Sequence, residues 1–214
     1  RVQKLSGGRA GKAAGWGTAG EAPAGWKTEE GSKPELGGLF GLHEGQGGHG
    51  TADRSNVAMS DAVLAFRWRV PKTGKGTDQT VHFARAGKYE HVPLQWAPEH
   101  VTAEELPPLI EGGKPALVIW DLSAANMQYA HSAVVAFARR TARLMISGSA
   151  ASTHPEGTGF IEPLLTAALT EALLEEAPQG GDIPALLPVP VDKGLHGGAS
   201  ALPTPTDLSP APAG

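Results

Sequence analysis

Three stretches of the chain are too continuously apolar to be alternating surface strands. They are Ala62–Trp68 (AVLAFRW), Pro115–Leu122 (PALVIWDL) and Arg143–Ser147 (RLMIS). Short apolar runs that stop near Gly, Ser or Asp are how strands buried on both faces of a parallel sheet read. Val2–Ser6 (VQKLS), before Gly7-Gly8, is a shorter strand candidate. His91–Trp96 (HVPLQW) is a fifth, confined to a sheet edge by Pro93. Between them the period changes. Thr77–Ala86 sets Thr80, Val81 and Ala84 near one helical face. Ser123–Ala142 does the same with Met127, Ala130, Val134, Val135 and Phe137, Ser123 serving as N-cap. Gly159–Glu176 carries a third helical set from Phe160 to Leu174.

Strands alternating with helices predict an α/β fold, a Rossmann-like parallel sheet flanked by helices. In such sheets ligands bind beyond the carboxyl ends of the strands. Residues 7–25 are Gly/Ala-rich and unpatterned, and 178–214 mix Pro, Ala, Gly and Leu without period. The expected organisation is therefore one ligand-binding domain over 1–177 and a disordered tail from Pro178.

A chain of 214 residues suits one domain with tails. Its net charge of -4 gives no basic face for nucleic acid. The absence of cysteine removes disulfides, thiolate metal sites and cysteine nucleophiles together. No apolar run is long enough to predict a membrane helix. The cytoplasm is the default compartment. The first residue is Arg, which is compatible with a targeting segment upstream.

The candidate chemistry sits in loops. Gly15–Gly20 (GWGTAG) and Gly45–Gly50 (GQGGHG) match a dinucleotide pattern, but neither joins a strand to a helix. Gly11-Lys12 lacks the leading Gly and the following Ser or Thr of a P-loop. His43, Glu44 and His49 miss the helical zinc spacing and read as a solvated loop. Thr73–Thr80 (TGKGTDQT) follows a strand and opens a helix. Gly74, Gly76 and Thr77 there read either as a plain turn with a Thr cap or as a phosphate cradle at a helix N-terminus. Gly148 and Ser149 form a second turn of that kind. In DRSNVAMSD, Arg54 supplies charge for a phosphate, or else pairs with Asp53 or Asp61. Asn56 is either a helix cap or a reader of ligand polar groups.

Several segments, in order, resemble the molybdenum carrier (molybdenum-cofactor carrier-like) family. They are KTEEGSKPELGGLFGLHE (27–44), RSNVAMSDAVL (54–64), GTDQT (76–80), GKPALVIWDL (113–122) and ISGSAASTHPEGTG (146–159). The family is similar to a branch of the lysine-decarboxylase-like Rossmann superfamily that includes nucleotide phosphoribohydrolases. The resemblance implies a first strand ending in a Ser6-Gly7-Gly8 ligand loop. It also implies a phosphate-bearing ligand, molybdenum cofactor (molybdopterin), held by Gly7, Gly8, Arg54, Asn56, Gly74, Gly76, Thr77, Gly148 and Ser149. Two departures stand out: no Gln-Thr-Gly-x-Asp-Arg follows Gly8, and residues 91–112 read as an insertion.

Three function classes remain open. One is a carrier of a small phosphate-bearing, nucleotide-like molecule. Another is a phosphoribohydrolase-like enzyme, and the third is a scaffold whose site has decayed. The hydrolase branch places a Glu on the helix that Thr77–Ala86 occupies here, and that helix has none. Glu29, Glu30 and Asp78 read as surface charges. The expected partner is thus a small molecule, with no nucleic acid and no membrane; a homo-oligomer is left open.

Overall fold

The computed structural model describes residues 2–28, 31–67, 75–95, 97–98, 101–120, 126–148 and 157–176. The expected tail from Pro178, the cap Ser123, and Gly74 and Ser149 lie outside the described residues.

The three apolar runs form strands β5 (Ala62–Arg67), β7 (Ala116–Trp120) and β8 (Leu144–Gly148). All three are parallel, with β5 between β7 and β8. An antiparallel edge strand, β6 (Ala103–Leu106), lies beyond β7. Every residue of β5 and β7 is buried, which is why both read as unbroken apolar runs. Alternate side chains leave on opposite faces. Leu64, Phe66, Leu117 and Ile119 meet helices α1 (Val2–Ala13), α5 (Met127–Arg139) and α6 (Gly157–Glu176) through Ala10, Val134, Phe137, Ile161 and Leu165. Val63, Ala65, Val118 and Trp120 meet helices α3 (His49–Met59) and α4 (Lys75–Ala86) through Val57, Val81 and Ala84. The result is a three-layer α/β fold with a predominantly parallel sheet, as the alternation of strands and helices predicts.

Two expectations are corrected. Val2–Ser6 is not a strand but the start of helix α1, so Ser6-Gly7-Gly8 is not a loop. Three glycines disfavour this helix, and packing overrides them. A Cβ on Gly7 would come within 2.9 Å of Ile146 Cβ, and one on Gly8 within 3.0 Å of Phe40. The missing side chains let α1 press against β8 at Gly7 and against Phe40 at Gly8. Second, His91–Trp96 forms no strand among the described residues; the edge strand is β6, which starts at Ala103.

Residues 20–48 form a small annex before α3. Strand β1 (Gly20–Ala22) pairs in parallel with β4 (Leu42–Glu44). A short hairpin of β2 (Lys27–Thr28) and β3 (Gly31–Ser32), and helix α2 (Glu35–Phe40), lie between them.

At the amino edge of the sheet, Arg143 donates to both oxygens of Asp61, at 2.7 and 3.3 Å, tying the entries of β8 and β5 together. The hydrogen bond from Arg143 holds the Asp61 carboxyl below the ordinary aspartate value. A depressed folded value contributes stability above the unfolded value and loses it as pH falls through the folded one. The stability gap between wild type and Asp61→Asn is therefore expected to be constant around neutral pH. It should close only in acid, as thermal melts across that range would show. A gap that persisted in strong acid would mean the carboxylate is not the source.

Candidate functional site

The parallel strands bring three carboxyl ends to one edge. Arg67 lies opposite Trp120 across the β5–β7 pair, and Phe66 opposite Gly148 across β5–β8. The chain leaving β5 enters α4 on one face of the sheet, whereas β7 and β8 are followed by α5 and α6 on the other. Connections that diverge to opposite faces open a crevice at the strand ends. The connecting residues 68–74, 121–125 and 149–156 fall outside the described residues.

The floor of this edge is a buried ion pair. Arg67, the last residue of β5, donates from Nε to Asp78 Oδ1 at 2.8 Å and from an Nη to Oδ2 at 3.3 Å. Their side chains are 7% and 2% exposed, so both charges have been taken out of water. Asp78 is thus no surface charge. It lies in the first turn of α4, where a carboxylate also meets the positive end of the helix dipole. Beside it, Thr77 is 2% exposed and its hydroxyl has no hydrogen-bond partner among the described residues. Gly76 begins the same turn and its carbonyl accepts from Thr80 Oγ1 at 2.8 Å.

A segment after α4 reaches this edge as well. Gly87, at φ 67°, reverses the chain. Tyr89 then packs edge-on against Phe83, with ring centroids 6.1 Å apart. Glu90 lies 3.2 Å from His82, and His91 Nε2 lies 3.6 Å from Asp78 Oδ2. The chain therefore doubles back along α4 towards its first turn. Leu94 and Ala97 are buried in the second core, and the Thr102 carbonyl accepts from the Trp120 N–H at 2.7 Å before β6 begins. Within 91–112, expected as an insertion, His91 lies at this edge, Ala103–Leu106 is a strand of the sheet, and the Leu109 N–H donates to the Arg85 carbonyl near the end of α4.

The other anticipated residues are placed differently. Asn56 is inside α3, and its amide is committed: Oδ1 accepts from the Glu21 N–H at 2.7 Å and Nδ2 donates to the Glu21 carbonyl at 3.0 Å. It clasps strand β1 rather than capping a helix or facing a ligand. Arg54 is exposed on α3, lies 5.0 Å from the centre of the Tyr89 ring and donates to Thr51 Oγ1 at 3.3 Å. Asp61, one of the two ion-pair partners anticipated for Arg54, is taken by Arg143. Gly148 closes β8 at the carboxyl edge, close to the end of β5.

Glu44 accepts from the Gly25 N–H and Trp26 Nε1, and His43 lies 3.6 Å from Glu21. Among the described residues no group of three or more His, Asp or Glu side chains could hold a metal ion, and no helix is long and apolar enough to cross a membrane.

Thr77 and Gly148, expected near strand ends, lie at this edge, as do Arg67 and His91, which the sequence did not single out. A charged residue ending an otherwise apolar buried run was the available signal for Arg67. For His91 there was none, because its placement depends on the chain reversal at Gly87.

Gly7 and Gly8 test packing against ligand contact. Gly7→Val should cost about 2–3 kcal/mol, the scale of overpacking a filled site, because Ile146 Cβ occupies the space. Gly17→Ala is the control, since nothing lies within 4 Å of a Cβ there. Equal urea midpoints for the two variants would contradict the packing role.

No protein-family model matches the sequence, and no curated protein matches it. A solved structure does: a "putative molybdenum carrier protein" from Syntrophus aciditrophicus SB, 22% identical, covering 77% of this chain and 87% of that one, with a TM-score of 0.56. The chain shares the α/β fold of that protein.

Proposed function

We propose that this chain binds and carries a small phosphate- or oxyanion-bearing ligand at the carboxyl edge of its parallel sheet, with molybdenum cofactor the leading candidate. The observation that carries the reading is the buried, unpartnered Thr77 hydroxyl in the first turn of α4. A buried hydroxyl left without a partner costs about 1–3 kcal/mol, and a ligand acceptor is one way to recover it. The backbone N–H groups of that turn point the same way as the helix dipole, which favours an anion. Gly74, Gly76 and Thr77 would hold it from the β5 side, Gly148 and Ser149 from β8. The resemblance to the molybdenum carrier family and the fold shared with a protein of that description support cofactor or oxyanion as cargo. Carriage is favoured over phosphoribohydrolase chemistry because Asp78, the carboxylate on α4, has both oxygens on Arg67.

Native mass spectrometry of the purified chain should reveal a bound small molecule that denaturation releases. Thr77→Val sharpens the test. Valine is nearly isosteric and removes the orphan hydroxyl, so the free protein should gain about 1 kcal/mol of stability. Affinity for molybdate or AMP should fall about tenfold, one charge-assisted hydrogen bond's worth. Unchanged affinity in a stabilised variant would remove Thr77 from the site.

A further inference from the structure

We propose that His91 is a proton-coupled ligand-binding residue of this edge: its imidazole takes up a proton as the anion binds. The inference rests on the reading of the carboxyl edge as an anion site, and it adds a residue from the segment that doubles back along α4.

Its basis is the geometry around Asp78. One carboxylate faces two basic groups from two directions. Arg67 of β5 holds both oxygens, and His91 Nε2 stands 3.6 Å from Oδ2. Arg67 and Asp78 cancel each other's charge, so the cluster is neutral with a neutral imidazole and carries one positive charge with a protonated one. Protonation of the imidazole therefore adds one positive charge to the face that an incoming anion meets. The contrast in exposure matters too. Arg67 and Asp78 are sealed at 7% and 2%, whereas 34% of the His91 side chain remains open. Of the three, His91 is the one that can both exchange a proton with solvent and touch a ligand.

Among the described residues, charged groups come to His91 from several elements. Asp78 and the exposed Lys75 come from α4, and Arg67 from β5. On its own segment, Glu90 is turned to His82. Arg54 of α3 stacks on Tyr89 two residues away. The segment itself is anchored by Tyr89 on Phe83 and by the burial of Leu94, so His91 is held at Asp78 by packing on both sides.

Linkage fixes the sign. If binding takes up a proton, it is tightest where the imidazole is already protonated and weakens as pH rises. The experiment titrates the full chain with molybdate, a dianion throughout, from about pH 6 to pH 8, bracketing the ordinary histidine range. Calorimetry in two buffers of different ionisation enthalpy counts protons. The expected result is uptake approaching one proton per molybdate near the upper end, with affinity falling up to about tenfold per pH unit. His91→Gln should take up none and bind with flat pH dependence; His91→Asn serves if the first variant folds poorly. Molybdate binding by wild type without proton uptake, or an unchanged pH slope in the variants, overturns the role of His91 and leaves the anion site standing. Failure of wild type to bind both molybdate and inorganic phosphate overturns the anion site, and this inference with it.

Discussion

Replacing Arg67 by methionine is expected to cost about 3–5 kcal/mol of folding stability, the scale of breaking a buried ion pair from one side. The loss does not measure the strength of the pair. It measures what remains: Asp78, 2% exposed, a buried carboxylate with its main partner gone. A domain of ordinary stability, about 5–15 kcal/mol, would be left marginal, and a urea titration would show it as a large drop in midpoint. Adding Asp78→Asn to the same chain should recover most of the loss, because no buried charge is then left over. The double-mutant comparison is decisive. A loss below about 1 kcal/mol for Arg67→Met, the range of exposed pairs, would mean the pair is solvated and forms no sealed floor. The same experiment bears on the ligand site. Methionine keeps much of the stem but removes the planar fork that holds both Asp78 oxygens, so anion binding should weaken even where the variant stays folded.

The parts of this fold that were legible share one property: their sequence pattern and their environment agree. β5 and β7 are covered on both faces and read as apolar runs. Helix α4 has buried residues at Thr77, Val81 and Ala84, spaced as helical turns require. Where pattern and environment part, the reading failed. Helix α1 contains Gly7, Gly8 and Gly11, which locally argue against a helix, yet it exists because Ala10 is buried in the core and the glycines permit close approach. Strand β6 reads AEEL, too polar for a core strand, because it is a partly exposed edge whose glutamates turn to Trp120 and Arg140. The site divides in the same way. Thr77 was visible from its place between a strand and a helix. Asn56 and Arg54 were visible as polar groups near a core entrance, but a sequence does not show that Glu21 and Tyr89 would claim them.

Lys114→Met is expected to cost about 2–4 kcal/mol while leaving the carboxyl edge untouched. The last carbonyls of a helix lack intrahelical partners and carry the negative end of its dipole. At the end of α3 Lys114 Nζ donates to the carbonyls of Val57, of Ala58 at 2.9 Å and of Ser60 at 2.5 Å, and the Val57 carbonyl also accepts from the Ser60 N–H and hydroxyl. Burial pulls the Lys114 ammonium below the usual lysine range, and nearby Asp61 opposes that shift. Three acceptors for three N–H groups use the full donor set of an ammonium. A charge-assisted hydrogen bond contributes about 1.5–3 kcal/mol and a cation at a helix C-terminus about 0.3–1, and the three bonds share one nitrogen, so they do not add. Methionine preserves the apolar stem, which isolates the loss of the ammonium. Lys114→Arg should recover only part of it, because a planar fork cannot aim at three converging carbonyls. Hydrogen exchange in the last turn of α3 should accelerate in both variants. Lys114 precedes β7 at the amino edge of the sheet, whereas Thr77 and His91 stand at the carboxyl edge. Molybdate affinity per folded molecule should therefore match wild type. A stability loss accompanied by lost affinity would show that the two edges are coupled through β5.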